Sequence, residues 1–253
     1  TYYVGRLGTT PLAAMALVFP FAMLTQMMSA GAMGGGVSSA VSRALGAGDR
    51  ERATELARHA LVIGGVAGLA YTALFLAGGP TFYGWLGGRG AVLTEASRYS
   101  MVLFSGALMV WLSNTLASVL RGTGNMRVPS VTIVLAAALQ IVLGGLLGLG
   151  AGPVPSFGMV GVAAGHLIAT AAMVAVLWAF LASGRARVRL RWSRLRLEAA
   201  LLADILRVGA LSCVSPVMSV LTVLVITGLV ARLGVLPLAG YAIGQRLEFL
   251  LVP

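Results

Sequence analysis

Apolar residues run along this chain in blocks of twenty or more, interrupted by short polar breaks in which arginine dominates. Such blocks outrun the needs of a soluble core helix and match the roughly 20 residues that cross about 30 Å of hydrocarbon. The pattern predicts the tail of a helix in Thr1 to Leu7, then helices at about 11 to 45, 53 to 79, 91 to 121, 127 to 150, 158 to 183 and 200 to 232, with an eighth beginning at Pro237. Six spans are then complete and two are cut. The second block would measure about 50 Å at 1.5 Å per residue, so it must tilt or project into the cytoplasm. Pro20 and Pro216 fall inside helices and are the expected hinges. The expected fold class is all-α, a polytopic membrane bundle.

Composition agrees, with 58% hydrophobic and 10% charged residues in 253 and a mean hydropathy of +0.95, values foreign to a soluble enzyme. The net charge of +11 would suggest nucleic acid in a soluble chain, but its distribution argues for a membrane. Arg43, Arg50, Arg52 and Arg58, then Arg121 and Arg127, then Arg185, Arg187, Arg189, Arg191, Arg194, Arg196 and Arg207 crowd three breaks, while the alternate breaks hold Arg6, Arg89, Arg98 and Arg232. This is the positive-inside bias, which places the crowded breaks in the cytoplasm against anionic lipid. Nucleic acid is therefore excluded as a partner and membrane lipid is expected as one. The lone cysteine, Cys213, permits no disulfide within the chain and no cysteine-based metal site. Thr1 is not an initiator methionine and Pro253 ends the chain inside an apolar block, so an internal piece of a longer protein is expected.

The stretch from Val4 to Ala14 repeats at Val230 to Gly240, with seven of eleven positions identical at a spacing of 226. Both copies fall at an outer turn, with proline opening the next helix, and six helix starts separate them. An even number of helices returns the chain to the same side, so the halves should be parallel and related about the membrane normal. The expected division is residues 1–183 as the first lobe, 184–199 as an Arg-rich cytoplasmic linker and 200–253 as the start of a second. The full protein would hold two pseudo-symmetric lobes of six helices. Glycine pairs at helical spacing, Gly31 and Gly35, Gly64 and Gly68, Gly144 and Gly148, Gly161 and Gly165, read as helix-packing seams.

Polar side chains within spans are costly in lipid unless they meet protein or a wet cavity. Gln26, Asn114, Gln140, His166, Tyr241, Gln245, Arg246 and Glu248 are accordingly the candidate lining of a substrate or ion pathway, each also readable as an interhelical tie. Arg246 and Glu248 fall near mid-bilayer, where a carboxylate could bind a cation or take up a proton. Met23, Met27, Met218, Phe19 and Phe21 would offer adaptable apolar surface. No catalytic set, P-loop or metal-ligand cluster is present in the sequence, so neither an enzyme, a metal site nor a cofactor is expected.

Three motifs make the chain resemble the multidrug and toxin extrusion (MATE) transporters: Ser42 to Asp49 followed by Ala53, Leu120 to Asn125 ending in Pro129, and Ala239 to Glu248, with Gly158, Gly161, Ala163 and Ala164 opening the sixth helix. The resemblance implies a twelve-helix, monomeric exporter of the bacterial inner (plasma) membrane. It would expel small organic cations by alternating access in exchange for inward H+ or Na+. It also implies departures. Gln140 to Gly144 stands where many relatives carry two polar ligands, Ser219 where one subgroup has a glutamate, and His166 where relatives have a small residue or threonine. A flippase for lipid-linked saccharides is the alternative of related architecture, but such cargo calls for several arginines within spans and only Arg246 qualifies; a non-transporting scaffold is the other.

Overall fold

The computed structural model describes residues 2–150, 155–190 and 197–251, with side chains as far as Gly244. Among these residues there is no strand. The elements are α1 (Tyr2–Leu7), α2 (Thr9–Gln26), a π-helical segment (Met27–Ala32), α3 (Met33–Gly46), α4 (Arg50–Trp85), α5 (Gly90–Ser105), α6 (Ala107–Gly122), α7 (Arg127–Leu149), α8 (Gly158–Ala182), α9 (Ala199–Ser212), α10 (Val214–Ala231) and α11 (Val235–Leu251). Five helical runs are long and apolar enough to cross a bilayer, and a sixth forms when α5 and α6, bent by 43°, are taken as one. The six complete spans expected from hydropathy are therefore present.

Three spans are less regular than their apolar pattern. The long second span passes through Pro20 as α-helix and departs into π geometry only at Met27. The fourth breaks at Gly106, where a Cβ would collide with the Leu167 side chain. The seventh breaks at Cys213, one turn before the buried Pro216, where a proline ring interferes with the preceding turn. The third span also outruns the expected end near residue 79 and continues through Pro80 to Trp85.

The sequence repeat has a structural counterpart. Gly8 and Gly234 separate their helices with φ of +121° and +114°, a region that side chains with a Cβ rarely enter. Matching hydrogen bonds surround them: Gly8 N–H to Gly5 O and Leu12 N–H to Gly8 O, against Gly234 N–H to Ala231 O and Leu238 N–H to Gly234 O. Two of the motifs are likewise turns. Asp49 N–H bonds Ala44 O and its carboxylate accepts from Arg52 N–H at 2.8 Å, while Asn125 N–H bonds Leu120 O and its Oδ1 accepts from Val128 N–H at 3.1 Å. Each turn closes one span and caps the next.

Glycine seams bring the spans to backbone contact. A Cβ on Gly161 would strike Leu147 O, and one on Gly165 would sit 2.6 Å from Gly144 N, which locks α8 onto α7. Gly68 admits the Leu108 main chain of α6 in the same way, and Gly64 the Thr115 side chain. Gly31 and Gly35 instead face open space, contrary to the seam expected there; Gly34 and Gly36 take that role, the latter with Cβ positions 2.8 Å from Ile205 O and 2.9 Å from Gly209 N. Periodicity finds a small-residue stripe without finding the neighbour.

The Arg-rich connector after α8 is docked. Arg185, Arg187 and Arg189 are exposed, while the alternate Val188 and Leu190 are buried with Leu181, Leu201 and Ile205. The fully buried His59 anchors its far end: Nδ1 lies 2.8 Å from Glu55 O and Nε2 accepts Glu198 N–H at 2.9 Å, which places the ring hydrogen on Nδ1. Beyond it, Asp204 of α9 meets Arg52 at 2.8 Å and Arg43 at 3.7 Å. At the opposite end of the bundle, Leu238, Ala239 and Ala242 of α11 are buried against Leu12 to Val18 of α2.

Candidate functional site

Polar groups of the second span collect where its helical geometry changes. Thr25 Oγ1 donates to Phe21 O, and Ser29 Oγ to Thr25 O at 2.6 Å, bonds that compete for carbonyls of an already widened turn. Asn114 of α6 reaches across to this point, and its Nδ2 donates to Ser29 Oγ at 2.8 Å and to Gln26 Oε1 at 3.2 Å. Further along α6 the thread continues, Ser118 Oγ donating to Asn114 O and Arg121 Nη2 to Ser118 Oγ, each at 2.7 Å.

A second polar pair comes from the hairpin of α7 and α8, where His166 Nδ1 lies 3.1 Å from Gln140 Oε1. With the amide oxygen accepting, the ring hydrogen sits on Nδ1 and Nε2 is left as an acceptor. Thr170 Oγ1 donates to His166 O one turn further on.

Between these pairs lie two adjoining cavities that share Gln26, Val110 and His166. One, of about 330 Å³, is walled by Phe19, Met23, Leu103, Phe104 and Ala107. The other, of about 240 Å³, is walled by Ser113, Asn114, Gln140, Thr170 and Met173. The bend at Gly106 turns the start of α6 around the larger cavity. An apolar chamber with a few convergent polar groups is what a small organic ligand requires. His166 is the one titratable group among the described residues lining either cavity.

Gln26, Asn114, Gln140 and His166 therefore meet in one place. Tyr241 of α11 is half-buried and lines neither cavity. Gln245, Arg246 and Glu248 lie on α11, but their side chains fall outside the described residues. Of the hinge candidates, Pro20 lies just before the wall residues Ala22 and Met23, and Pro216 beside the break at Cys213. Of the apolar candidates, Phe19 and Met23 line the larger cavity, whereas Phe21 packs on Phe75, Phe82 and Tyr83. Phe104 and the Gly106 bend were not singled out from sequence; the adjacent Ser105 and Gly106 are the signal a helix break leaves. Among the described residues no cluster of three or more His, Cys, Asp or Glu could hold a metal ion.

Known proteins share this architecture. A solved multidrug resistance MATE family transporter in its inward-facing conformation superposes with a TM-score of 0.91 at 28% identity, over 98% of this chain and 56% of that one. A probable multidrug resistance protein of Bacillus subtilis is 25% identical over 95% of this chain and 52% of its own length. A FAD transporter of Shewanella oneidensis is 29% identical over 64% of this chain and 36% of its own length. The chain thus spans about half the length of the proteins it matches along nearly its whole extent. The MatE family model matches residues 1–146, more than half of the chain, and with its spans, its repeated turn and its cavity-bearing bundle this multi-pass membrane protein belongs to the MatE family of multidrug and toxin extrusion transporters.

Proposed function

We propose that the protein to which this chain belongs is a monomeric, cation-coupled antiporter of the bacterial inner membrane that exports small organic cations by alternating access, with H+ or Na+ moving inward. The observation that carries this reading is the meeting of Gln26, Asn114, Gln140 and His166 in a chamber otherwise walled by apolar and aromatic side chains. Phe19 and Phe104 in its wall supply aromatic surface for a flat cation, and the amide oxygens supply acceptors. The packing of α11 on α2 at the outer side, and the likeness to an inward-facing relative, support a resting state closed to the outside. His166 would exchange protons with the cavity as the bundle opens and closes.

A second cargo is favoured by one observation. None of the described residues lining the cavities is a carboxylate, so a neutral or anionic flat molecule meets no repulsion there, and one relative is a FAD transporter. Efflux from cells expressing the full-length protein separates the readings. Ethidium or norfloxacin extrusion that falls at least about tenfold in a Gln140→Leu/His166→Leu variant supports the first. Flavin export lost in the same variant supports the second. Unchanged efflux of both removes the chamber from the mechanism.

A further inference from the structure

The cytoplasmic side carries a recess separate from the chamber. It has a volume of about 530 Å³ and lies between the α6–α7 turn, Thr123 to Arg127, and the chain leaving α8, Arg185 to Arg187. We propose that this recess is a binding site for a phosphate group, presented by an anionic lipid headgroup or by a small soluble phosphoester.

Charge is the first reason. Arg127, Arg185 and Arg187 converge on the recess from elements distant in sequence, and none of them has a carboxylate partner among the described residues. Three of the acids pair with other arginines: Asp204 holds Arg43 and Arg52, Glu55 holds Arg58, and Glu95 approaches Arg98. Three uncompensated guanidinium groups around one concavity repel one another until an anion with several acceptor oxygens enters.

Rigidity is the second reason. Arg185 and Arg187 alternate with Ala186 and Val188, which pack on the core together with Leu190, so the bent stretch cannot roll its charges away. Across the recess, Asn125 is held on both sides, its N–H on Leu120 O and its Oδ1 on Val128 N–H, at the start of α7, where the helix dipole also favours negative charge. Place is the third. The recess sits where α6 ends, α7 begins and α8 ends, the end of the bundle that the positive-inside bias assigns to the cytoplasmic headgroups, and Met126 on its rim is 61% exposed, an apolar neighbour for a glycerol backbone. Basic pockets between spans on this face are where phosphate headgroups settle.

The test uses the full-length protein in phosphatidylcholine nanodiscs, in nanodiscs that also contain phosphatidylglycerol, and in phosphatidylcholine nanodiscs with glycerol 3-phosphate added. Hydrogen exchange at 123–127 and 185–187 reports occupancy. Protection by phosphatidylglycerol alone identifies a headgroup held in the membrane plane; protection by glycerol 3-phosphate as well shows that the phosphate suffices. An Arg127→Gln/Arg185→Gln/Arg187→Gln variant should bind the protecting probe about a hundredfold more weakly, and the matching Arg→Lys variant should keep most of the binding. An Arg6→Gln/Arg89→Gln/Arg98→Gln variant, equal in net charge, should stay within about twofold of the wild type. Equal losses in the two Gln variants, or protection by neither probe in the wild type, would overturn the site.

Discussion

Gly165 has no side chain because there is nowhere to put one. A Cβ would press on the Gly144 amide nitrogen at 2.6 Å, and main chain does not yield as a flexible side chain does. Gly165→Ala should therefore push α8 off α7 and cost about 1–3 kcal/mol, read as an earlier thermal transition in detergent, whereas Gly35→Ala, which meets open space, should leave the transition in place. The same contrast marks what a sequence conveys at this scale. Gln140 and His166 lie nearly equidistant from the connection between their helices, so a hairpin predicts that they meet. Gln26 and Asn114 are 88 positions apart, and no local spacing brings them together; only the packing of the second span on the fourth does. Likewise the alternation of arginine with Val188 and Leu190 advertises a two-sided segment, but which side faces protein depends on Leu181 and Ile205 waiting beneath it.

Helices were legible from hydropathy because crossing a bilayer demands length and apolarity, and both are counted directly along the chain. Their breaks were less so. The π segment at Met27–Ala32 contains no proline, and the Thr25 and Ser29 hydroxyls bond backbone carbonyls beside it, a competition invisible to an apolar average. At Cys213 the cause is Pro216, which lies in the first turn of α10. Pro216→Ala restores an amide there and should fuse α9 and α10 into one continuous helix. The expected outcome is a thermal transition raised by a few degrees, on the scale of about 1 kcal/mol, together with slower efflux by the full-length protein. Faster efflux in the straightened variant would show that the break serves packing alone.

Across the whole molecule, the repeated turn connects sequence to architecture most directly, since Gly8 and Gly234 share one conformation and one pair of hydrogen bonds at a spacing of 226. The end of the bundle that carries it is also where closure can be probed. A Cβ on Gly87 would lie 3.1 Å from the Ala231 Cβ, nearer than the roughly 3.8 Å of a disulfide, and Gly87 holds φ of +89°, where a Cβ is disfavoured. A Gly87→Cys/Ala231→Cys variant should therefore lower the thermal transition, and the folded fraction should cross-link under mild oxidant and lose efflux until reductant is added. Cross-linking without loss of efflux would place the outer opening elsewhere.

Main chain touching main chain at Gly36 and Gly209 leaves the span Ala199–Ala231 with a fulcrum. It cannot slide sideways without tearing open an interface that has no side chains to refill it, so swivelling is the freedom it keeps. From the break at Cys213 beside that pivot, the continuous helix reaches Ala231 as a lever of about 27 Å at 1.5 Å per residue. A tilt of about 20° would sweep its far tip by roughly 9 Å over that length, wide enough to admit a drug-sized molecule from a joint that scarcely shifts.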